Sequence, residues 1–199
     1  MFEYENKYLE QGKKLIAGID EAGRGPLAGP VCVAMVIMSL SKDDIIDKVN
    51  DSKKLSAKMR DKLYDEIIKK ALYYRIEMID EKTIDSINIL NATKLGMLQC
   101  INNIGVKPDI VLIDAVKLDT DDATESIIKG DALSYSIACA SILAKVTRDR
   151  YMEGMDILYP EYNFKKHKGY GTKEHIDNLK KYGKCKIHRN SFIGHFVDV

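Results

Sequence analysis

The stretch KLIAGIDEAGRGPLAGPVCVAMVIM, residues 14–38, holds two apolar runs separated by the loop GRGPLAGP at 23–30. The first run, 14–19, reads as a strand that ends in two acids, Asp20 and Glu21. The second, Val31–Met38, is eight uninterrupted apolar residues, too short to span a bilayer and suited to a strand covered on both faces. Three glycines and two prolines in eight residues make the loop tight and shaped. Charged groups at the end of a buried strand are unfavourable unless they are paired or bind a cation. In α/β sheets the carboxyl ends of strands are also where ligands sit. Asp20 and Glu21 would leave a regular strand on opposite faces, so both reach one site only if the strand bends.

Working outward, 2–11 reads as a short helix. Ser56 is a good N-cap for a helix to about residue 72, with Leu63, Ile67 and Ile68 on one face. Tyr74, Ile76 and Met78 alternate as in a strand. Residues 80–104 read as helical in two pieces. Pro108 leads into a short apolar strand, 110–113, that ends at Asp114. Residues 132–151 form a long helix whose Ala138, Ala140, Ser141 and Ala144 allow close packing on a sheet, and 172–182 form a further helix. Strands interleaved with helices imply an α/β fold with a mixed sheet. Asp119, Asp121, Asp122 and Glu125 lack the glycine of a calcium loop and read as a solvated turn.

At 199 residues, 45% apolar and 31% charged, the chain is a globular one that excludes disorder, collagen and a coiled-coil rod. Cys32, Cys100, Cys139 and Cys185 form no CxxC pair, which argues against a cysteine zinc site or redox motif. The charged start MFEYENKYLEQGKK lacks the apolar core of a signal peptide, so a cytoplasmic protein with reduced thiols and no membrane association is expected. Net charge is +1, but residues 165–189 carry eight Lys, one Arg and two acids, a local +7 that leaves −6 elsewhere. A basic C-terminal lobe on an acidic body suits a polyanionic partner; solvated lysines in water are the alternative. The expected organisation is a catalytic domain at 1–158 and a basic helical lobe at 159–199 packed on it.

Asp20, Glu21 and Asp114 end strands, and Asp131 follows Gly130 at the start of the small-residue helix. If the four converge, their repulsion would be severe at neutral pH. Two divalent cations would cancel it, in the arrangement used for in-line attack on phosphodiesters. Oxygen-only ligands favour Mg²⁺ or Mn²⁺ over zinc. Alternatively, Asp131 is only an N-cap and Asp114 a turn residue. Gly23-Arg24-Gly25 can bring backbone N–H groups close to a ligand, and Arg24 can fork onto a phosphate or sugar oxygen. No Walker A loop occurs. Lys53 and Lys54, and Lys145 with Arg148 three residues on, are candidate phosphate contacts or exposed surface. Tyr170, flanked by glycines in HKGYGT, can stack on a sugar or base or pack the lobe on the body. His167, His175, His188 and His195 match no metal-ligand pattern, and no nucleophile elbow is present.

Together these segments resemble the ribonuclease HII family: GIDEAGRGPLAGPV (18–31), DSKKLS (51–56), INILNATKLGM (87–97), VLIDA (111–115), KGDALSYSIACASILAKVTRDRYM (129–152), HKGYGT (167–172) and HRNSF (188–192). They run in the family's order and span most of the chain. The resemblance implies a ribonuclease H-like fold: a five-stranded mixed sheet flanked by helices, with a helical C-terminal lobe. It implies an endonuclease that cuts 5′ of ribonucleotides in RNA/DNA hybrids or embedded in duplex DNA, leaving a 3′-hydroxyl and a 5′-phosphate. The family's metal ligands fall on Asp20, Glu21, Asp114 and Asp131, with two Mg²⁺ or Mn²⁺ ions. Its 2′-hydroxyl reader falls on Gly23, Arg24 and Gly25, and its junction tyrosine on Tyr170. The match also raises Lys53, Lys54, Lys145 and Arg148 as phosphate contacts, in a monomer. Two departures are Ala115, where many bacterial members have Gly, and Cys139, where Ala is usual.

Two other classes compete. A small-molecule metal phosphohydrolase would use the same acids but has no need of a basic lobe. A nucleic-acid-binding module, or a general metal-dependent nuclease on this fold, would use the lobe without reading a 2′-hydroxyl. Acids beside a phosphate backbone weaken binding unless metals intervene.

Overall fold

The computed structural model describes residues 1–49 and 55–198. In chain order its elements are α1 (Glu3–Glu10), β1 (Ile16–Ala22), β2 (Val31–Met38), α2 (Ala57–Lys70), β3 (Ala71–Ile79), α3 (Glu81–Ile87), α4 (Ile89–Asn103), β4 (Ile110–Asp114) and β5 (Thr124–Ile127). Helices α5 (Gly130–Leu133), α6 (Tyr135–Leu158), α7 (Phe164–His167), α8 (Lys173–Tyr182) and α9 (Asn190–Ile193) follow. The strands form one mixed sheet in the order β3-β2-β1-β4-β5. β1 is antiparallel to β2, β2 is antiparallel to β3, and β1, β4 and β5 run parallel.

The two-residue period of β2 divides the core. Cys32, Ala34, Val36 and Met38 pack with Ala138, Cys139 and Leu143 of α6 and Leu63 and Ile67 of α2. Val33, Met35 and Ile37 pack on the opposite face with Met97, Cys100 and Ile101 of α4. Both faces are therefore covered, which is why β2 is apolar without alternation. Gly18 lets β1 lie directly on the first turn of α6: a Cβ there would collide with the backbone of Ser136 and Ile137. Ser56, Thr172 and Ser134 cap α2, α8 and α6 through their side-chain oxygens.

Several features differ from expectation, among them that α6 runs on to Leu158, past the expected end near 151. β1 runs to Ala22, so Asp20 and Glu21 lie inside the paired strand. The small-residue helix begins at Tyr135, after the separate turn α5 that carries Asp131. The acidic run is a turn only in part, because Glu125 lies in β5, where it accepts hydrogen bonds from Lys7 (2.9 Å) and the Tyr8 hydroxyl (2.5 Å). β5 is a four-residue edge strand, too short and too polar for periodicity to reveal.

The C-terminal segment is joined to the body by backbone hydrogen bonds. Leu27 N–H donates to the Gly169 carbonyl (2.8 Å), Gly29 N–H to Ile187 (2.8 Å), and Arg189 N–H to Leu27 (2.9 Å). Among the described residues, no helix is long and apolar enough to cross a membrane.

Candidate active site

The parallel pairing of β1 with β4 aligns Ile19 with Ile113, and the next residue on each strand is an aspartate. Strand parity sends Asp20 and Asp114 to the α6 face, because Leu112, two residues before Asp114, packs there with Ile16 and Ile137. They thus lie side by side at the carboxyl ends of parallel strands. β5 ends at the same edge, and its continuation returns Gly130, whose N–H donates to Asp114 Oδ1 at 2.7 Å. A Cβ on Gly130 would press on the Ile137 side chain and come within 3.4 Å of that oxygen, so glycine permits the close approach of this turn to Asp114. Asp20 and Asp131 are 5% and 6% exposed. Lys129, before the glycine, takes a left-handed conformation (φ 60°), as does Ala115 (φ 51°) after Asp114. Glycine adopts that conformation freely, so Ala115 carries a backbone cost there that a glycine would not.

Pairing of β1 with β2 continues through Ala22, so Asp20 and Glu21 keep the alternation of a paired strand. Parity directs Glu21 to the other face, yet at the strand end its carboxylate interacts electrostatically with Asp20 and Asp114. Burial, then repulsion from Glu21, raises Asp20 well above the ordinary carboxylate range, with a Ser141 hydrogen bond pulling the other way. Burial also raises Glu21, opposed chiefly by Arg24, whose Nη1 lies 3.3 Å from Glu21 Oε1. Glu21 Oε2 is buried with no hydrogen-bond partner.

Among the described residues, no three Asp, Glu, His or Cys side chains already stand close enough to hold a metal ion. The donor set still fits a hard divalent cation: carboxylate oxygens only, mutually repelling, with one buried lone-pair atom unclaimed. Like charges in a desolvated cluster hold one another off until a cation joins them.

The loop after β1 is held from inside by two buried arginines. Arg189, fully buried, donates from Nε to Gly29 (2.8 Å), from Nη1 to Arg24 (3.0 Å) and from Nη2 to Gly23 (2.6 Å), all to carbonyl oxygens. Arg148, 1% exposed, donates to the carbonyls of Pro30, Lys168 and Ala28 at 2.9–3.0 Å. Gly23 has φ +96°, and a Cβ there would collide with the Arg148 guanidinium. Gly25 is different: a Cβ would sit an ordinary 3.9 Å from Tyr170 Cε1. Tyr170, 44% exposed, therefore stands beside the glycine loop, with the Arg148 guanidinium 5.9 Å from its ring centre.

Arg148 is thus not on the surface where a phosphate contact was expected. Its three-residue spacing from Lys145 put both on one helix, but Arg148 turns into the core. Lys145 pairs with Asp149 at 2.8 Å beside a groove shared with Arg60, Arg150 and Lys166. Lys53 and Lys54 lie outside the described residues. In the basic segment, Arg189 is buried, Lys166 pairs with Glu174 and Lys168 with Glu153. Lys165, Lys173, Lys180, Lys181, Lys184 and Lys186 are exposed.

The family model for ribonuclease HII matches residues 17–195. The chain belongs to the ribonuclease HII family. It is an enzyme, a ribonuclease H with the hydrolase and endonuclease chemistry of that family. A ribonuclease HII of Caldicellulosiruptor bescii is 55% identical over 199 residues, covering 100% of this chain and 96% of that one. The crystal structure of ribonuclease H2 from Pyrococcus horikoshii superposes with a TM-score of 0.74 at 27% identity, covering 88% of this chain and 92% of the other. That of Bst-RNase HIII in complex with Mn²⁺ matches at 0.64 and 18% identity over 86% of this chain and 63% of its own, a likeness of fold. Within the ribonuclease HII motifs, Ser141, Arg189 and the inner role of Arg148 escaped sequence reasoning. Arg148 had a signal: it shares an i, i+4 stripe with Ala140, Ala144 and Met152, all buried.

Proposed function

We propose that this enzyme hydrolyses the phosphodiester 5′ of a ribonucleotide in an RNA/DNA hybrid or a DNA duplex, leaving a 3′-hydroxyl and a 5′-phosphate. The observation that carries this reading is the parallel pairing that sets Asp20 beside Asp114 at one sheet edge, with the N–H of Gly130, the residue before Asp131, bonded to Asp114. Asp20, Glu21, Asp114 and Asp131 would hold two divalent ions, Mg²⁺ or Mn²⁺. When bound, such ions supply Lewis acidity to the scissile phosphate and its leaving 3′-oxygen.

The chain's own residues do the rest. The carboxylates set the charge pattern that the ions would complete, on a sheet edge fixed by the fold. Gly23, Arg24 and Gly25 follow Glu21 directly, so what they touch lies next to the phosphate. Backbone groups there can meet a 2′-hydroxyl because no side chain intervenes at Gly25. A site shaped to hydrogen-bond that hydroxyl leaves its own polar groups unpaired against deoxyribose, which penalises all-DNA substrates. Tyr170 packs on the sugar at the junction. The exposed lobe lysines, with Lys53, Lys54 and Lys145, attract the duplex backbone.

The deciding experiment compares end-labelled duplexes that differ in one 2′-hydroxyl, with Mg²⁺, with Mn²⁺ and with chelator. Cleavage confined to the ribonucleotide duplex and dependent on the ion supports the reading. Equal cleavage of both duplexes turns it into a general metal nuclease, and binding without cleavage turns it into a binding module.

A further inference from the structure

We infer that a chain of two neutral histidines, His188 and His175, positions Tyr170 for the reaction. The inference rests on the reading of Tyr170 as a substrate contact. The backbone N–H of Cys185 donates to His188 Nδ1 at 2.9 Å. His188 Nε2 lies 3.1 Å from His175 Nε2, and His175 Nδ1 lies 2.9 Å from the Tyr170 carbonyl oxygen. The two ends fix every proton between them. A backbone N–H can only donate, so His188 Nδ1 is bare and its proton is on Nε2. That proton points at His175, whose Nε2 must accept, so His175 carries its proton on Nδ1. A carbonyl can only accept, and the Tyr170 oxygen closes the chain.

Both rings are thus neutral and in opposite tautomers, and a second proton on either would face another proton. The cage around them suits this state. His175 and His188 are 0% and 3% exposed, and burial pulls both down to about 4. The Phe164 ring stands 5.5 Å from His175 and 5.8 Å from His188, and the Tyr162 ring 5.0 Å from His188. His167 stacks on His175 at 4.5 Å, accepting from Gly169 N–H on Nδ1 and facing the Tyr162 carbonyl with Nε2. The Cys185 thiol, 3.1 Å from His188 Nδ1, is kept protonated by burial, which pushes it up to about 11. The charged groups nearest the cage are Glu174, Asp156 and Lys166 beside His167, and Glu161 beside Cys185. The Tyr170 carbonyl also accepts from Thr172 N–H (2.8 Å), the cap of α8, so the backbone under the tyrosine is held on two sides.

The test has two arms, both on the full chain. In the first, ¹⁵N–¹H spectra of the imidazoles report tautomer and charge. Expected are Nε2–H for His188 and Nδ1–H for His175 at neutral pH, with no second proton down to about pH 5. The opposite tautomer on either ring, or a charged ring at neutral pH, overturns the chain. In the second arm, cleavage of a duplex with one ribonucleotide is measured for His175→Ala, His175→Asn, Tyr170→Ala and the double variant His175→Ala/Tyr170→Ala. His175→Ala should lower kcat about tenfold with KM little changed, the loss of one positioning hydrogen bond. His175→Asn, whose amide N–H reaches the place of Nδ1–H, should recover most of that. Added to Tyr170→Ala, His175→Ala should have no further effect. A full additional tenfold loss there, or no rescue by Asn in a folded variant, overturns the positioning role. If Tyr170→Ala cuts normally, the substrate reading of Tyr170 fails and the positioning role with it, whatever the spectra show. Wrong tautomers with an impaired Tyr170→Ala overturn the histidine chain alone.

Discussion

Replacing Arg189 with Met keeps an unbranched side chain as far as the place of Nε and removes the donors. Three carbonyls lose their partners: Gly23 (2.6 Å), Gly29 (2.8 Å) and Arg24 (3.0 Å). The first two bonds are buried, and a buried acceptor left unpaired costs about 1–3 kcal/mol. A roughly 2–6 kcal/mol loss is offset in part by sparing a charge the cost of burial. That cost is visible in Arg189 itself, which burial and then repulsion from Arg148 pull down to about 9. We expect a net loss of about 2–4 kcal/mol, which for a chain of this size lowers the melting temperature by roughly 5–15 °C. Arg189→Lys should recover little, because a point charge cannot span three carbonyls as a planar fork does. Calorimetric melts of wild type, both variants and an Arg24→Ala control measure this. Below the melting range, cleavage of the single-ribonucleotide duplex should fall in Arg189→Met, because the carbonyls of Gly23 and Arg24 define the loop. A variant that melts within about 2 °C of wild type and cuts at the same rate would refute the view that this guanidinium holds the loop.

Asp20→Asn should abolish most turnover, about 10²–10³-fold for roughly 3–4 kcal/mol of barrier, yet raise the metal-free melting temperature at pH 7. The sign follows from Asp20 being raised in the fold: the native state binds its proton more tightly than the unfolded chain, so the charged form is destabilising and stability grows as pH falls toward the ordinary carboxylate range. Gly25→Ala should lower cleavage far more than duplex affinity, measured side by side, because the new methyl finds room within the protein and can obstruct only what binds there. Gly23→Ala confounds strain and collision with function and should lose stability as well. The buried histidines set the acid limit. His175 and His188 fall to about 4, so the stability they contribute should decline as pH drops from about 6.5 toward 4 and level off below, read as the difference between melts of wild type and His175→Asn across that window. Lys180→Gln/Lys181→Gln should flatten the slope of log affinity against log salt by about 1–2 without moving the cut, and an unchanged slope means these lysines face solvent in the complex.

The fold was legible where one period ruled. Residues 31–38 announced a strand covered on both faces, and Ala138, Ala140 and Ala144 announced a helix pressed on a sheet. Ser56 marked a helix start through its hydroxyl. β5 was not legible: Thr124-Glu125-Ser126-Ile127 has one fully buried residue, and what makes it a strand is the register offered by β4. Glu125 looked like part of a solvated acidic turn because its partners, Lys7 and Tyr8, come from the other end of the chain. Long-range pairing of this kind leaves no mark in a local window.

Residue type and position at strand ends or a helix start made Asp20, Glu21, Asp114 and Asp131 candidates, because a carboxylate in an apolar context is conspicuous. Arginine is harder to read. A guanidinium can fork onto a phosphate or onto the carbonyls of its own chain with the same donors. In Lys145 and Arg148 the sequence offers two cations three residues apart, and only the packing of α6 separates them: Lys145 reaches Asp149 at the rim, while Arg148 ends on three backbone oxygens. The arrangement has a physical logic. A glycine-rich loop is entropically unfavourable to order, and glycines cannot supply side chains to hold it. Rigidity must come from behind, from donors long enough to reach several carbonyls at once, and Arg148 and Arg189 do this from two different segments of the chain. The face of the loop is thereby left bare, and Arg148, which looks like a nucleic-acid contact in the sequence, holds the loop from within.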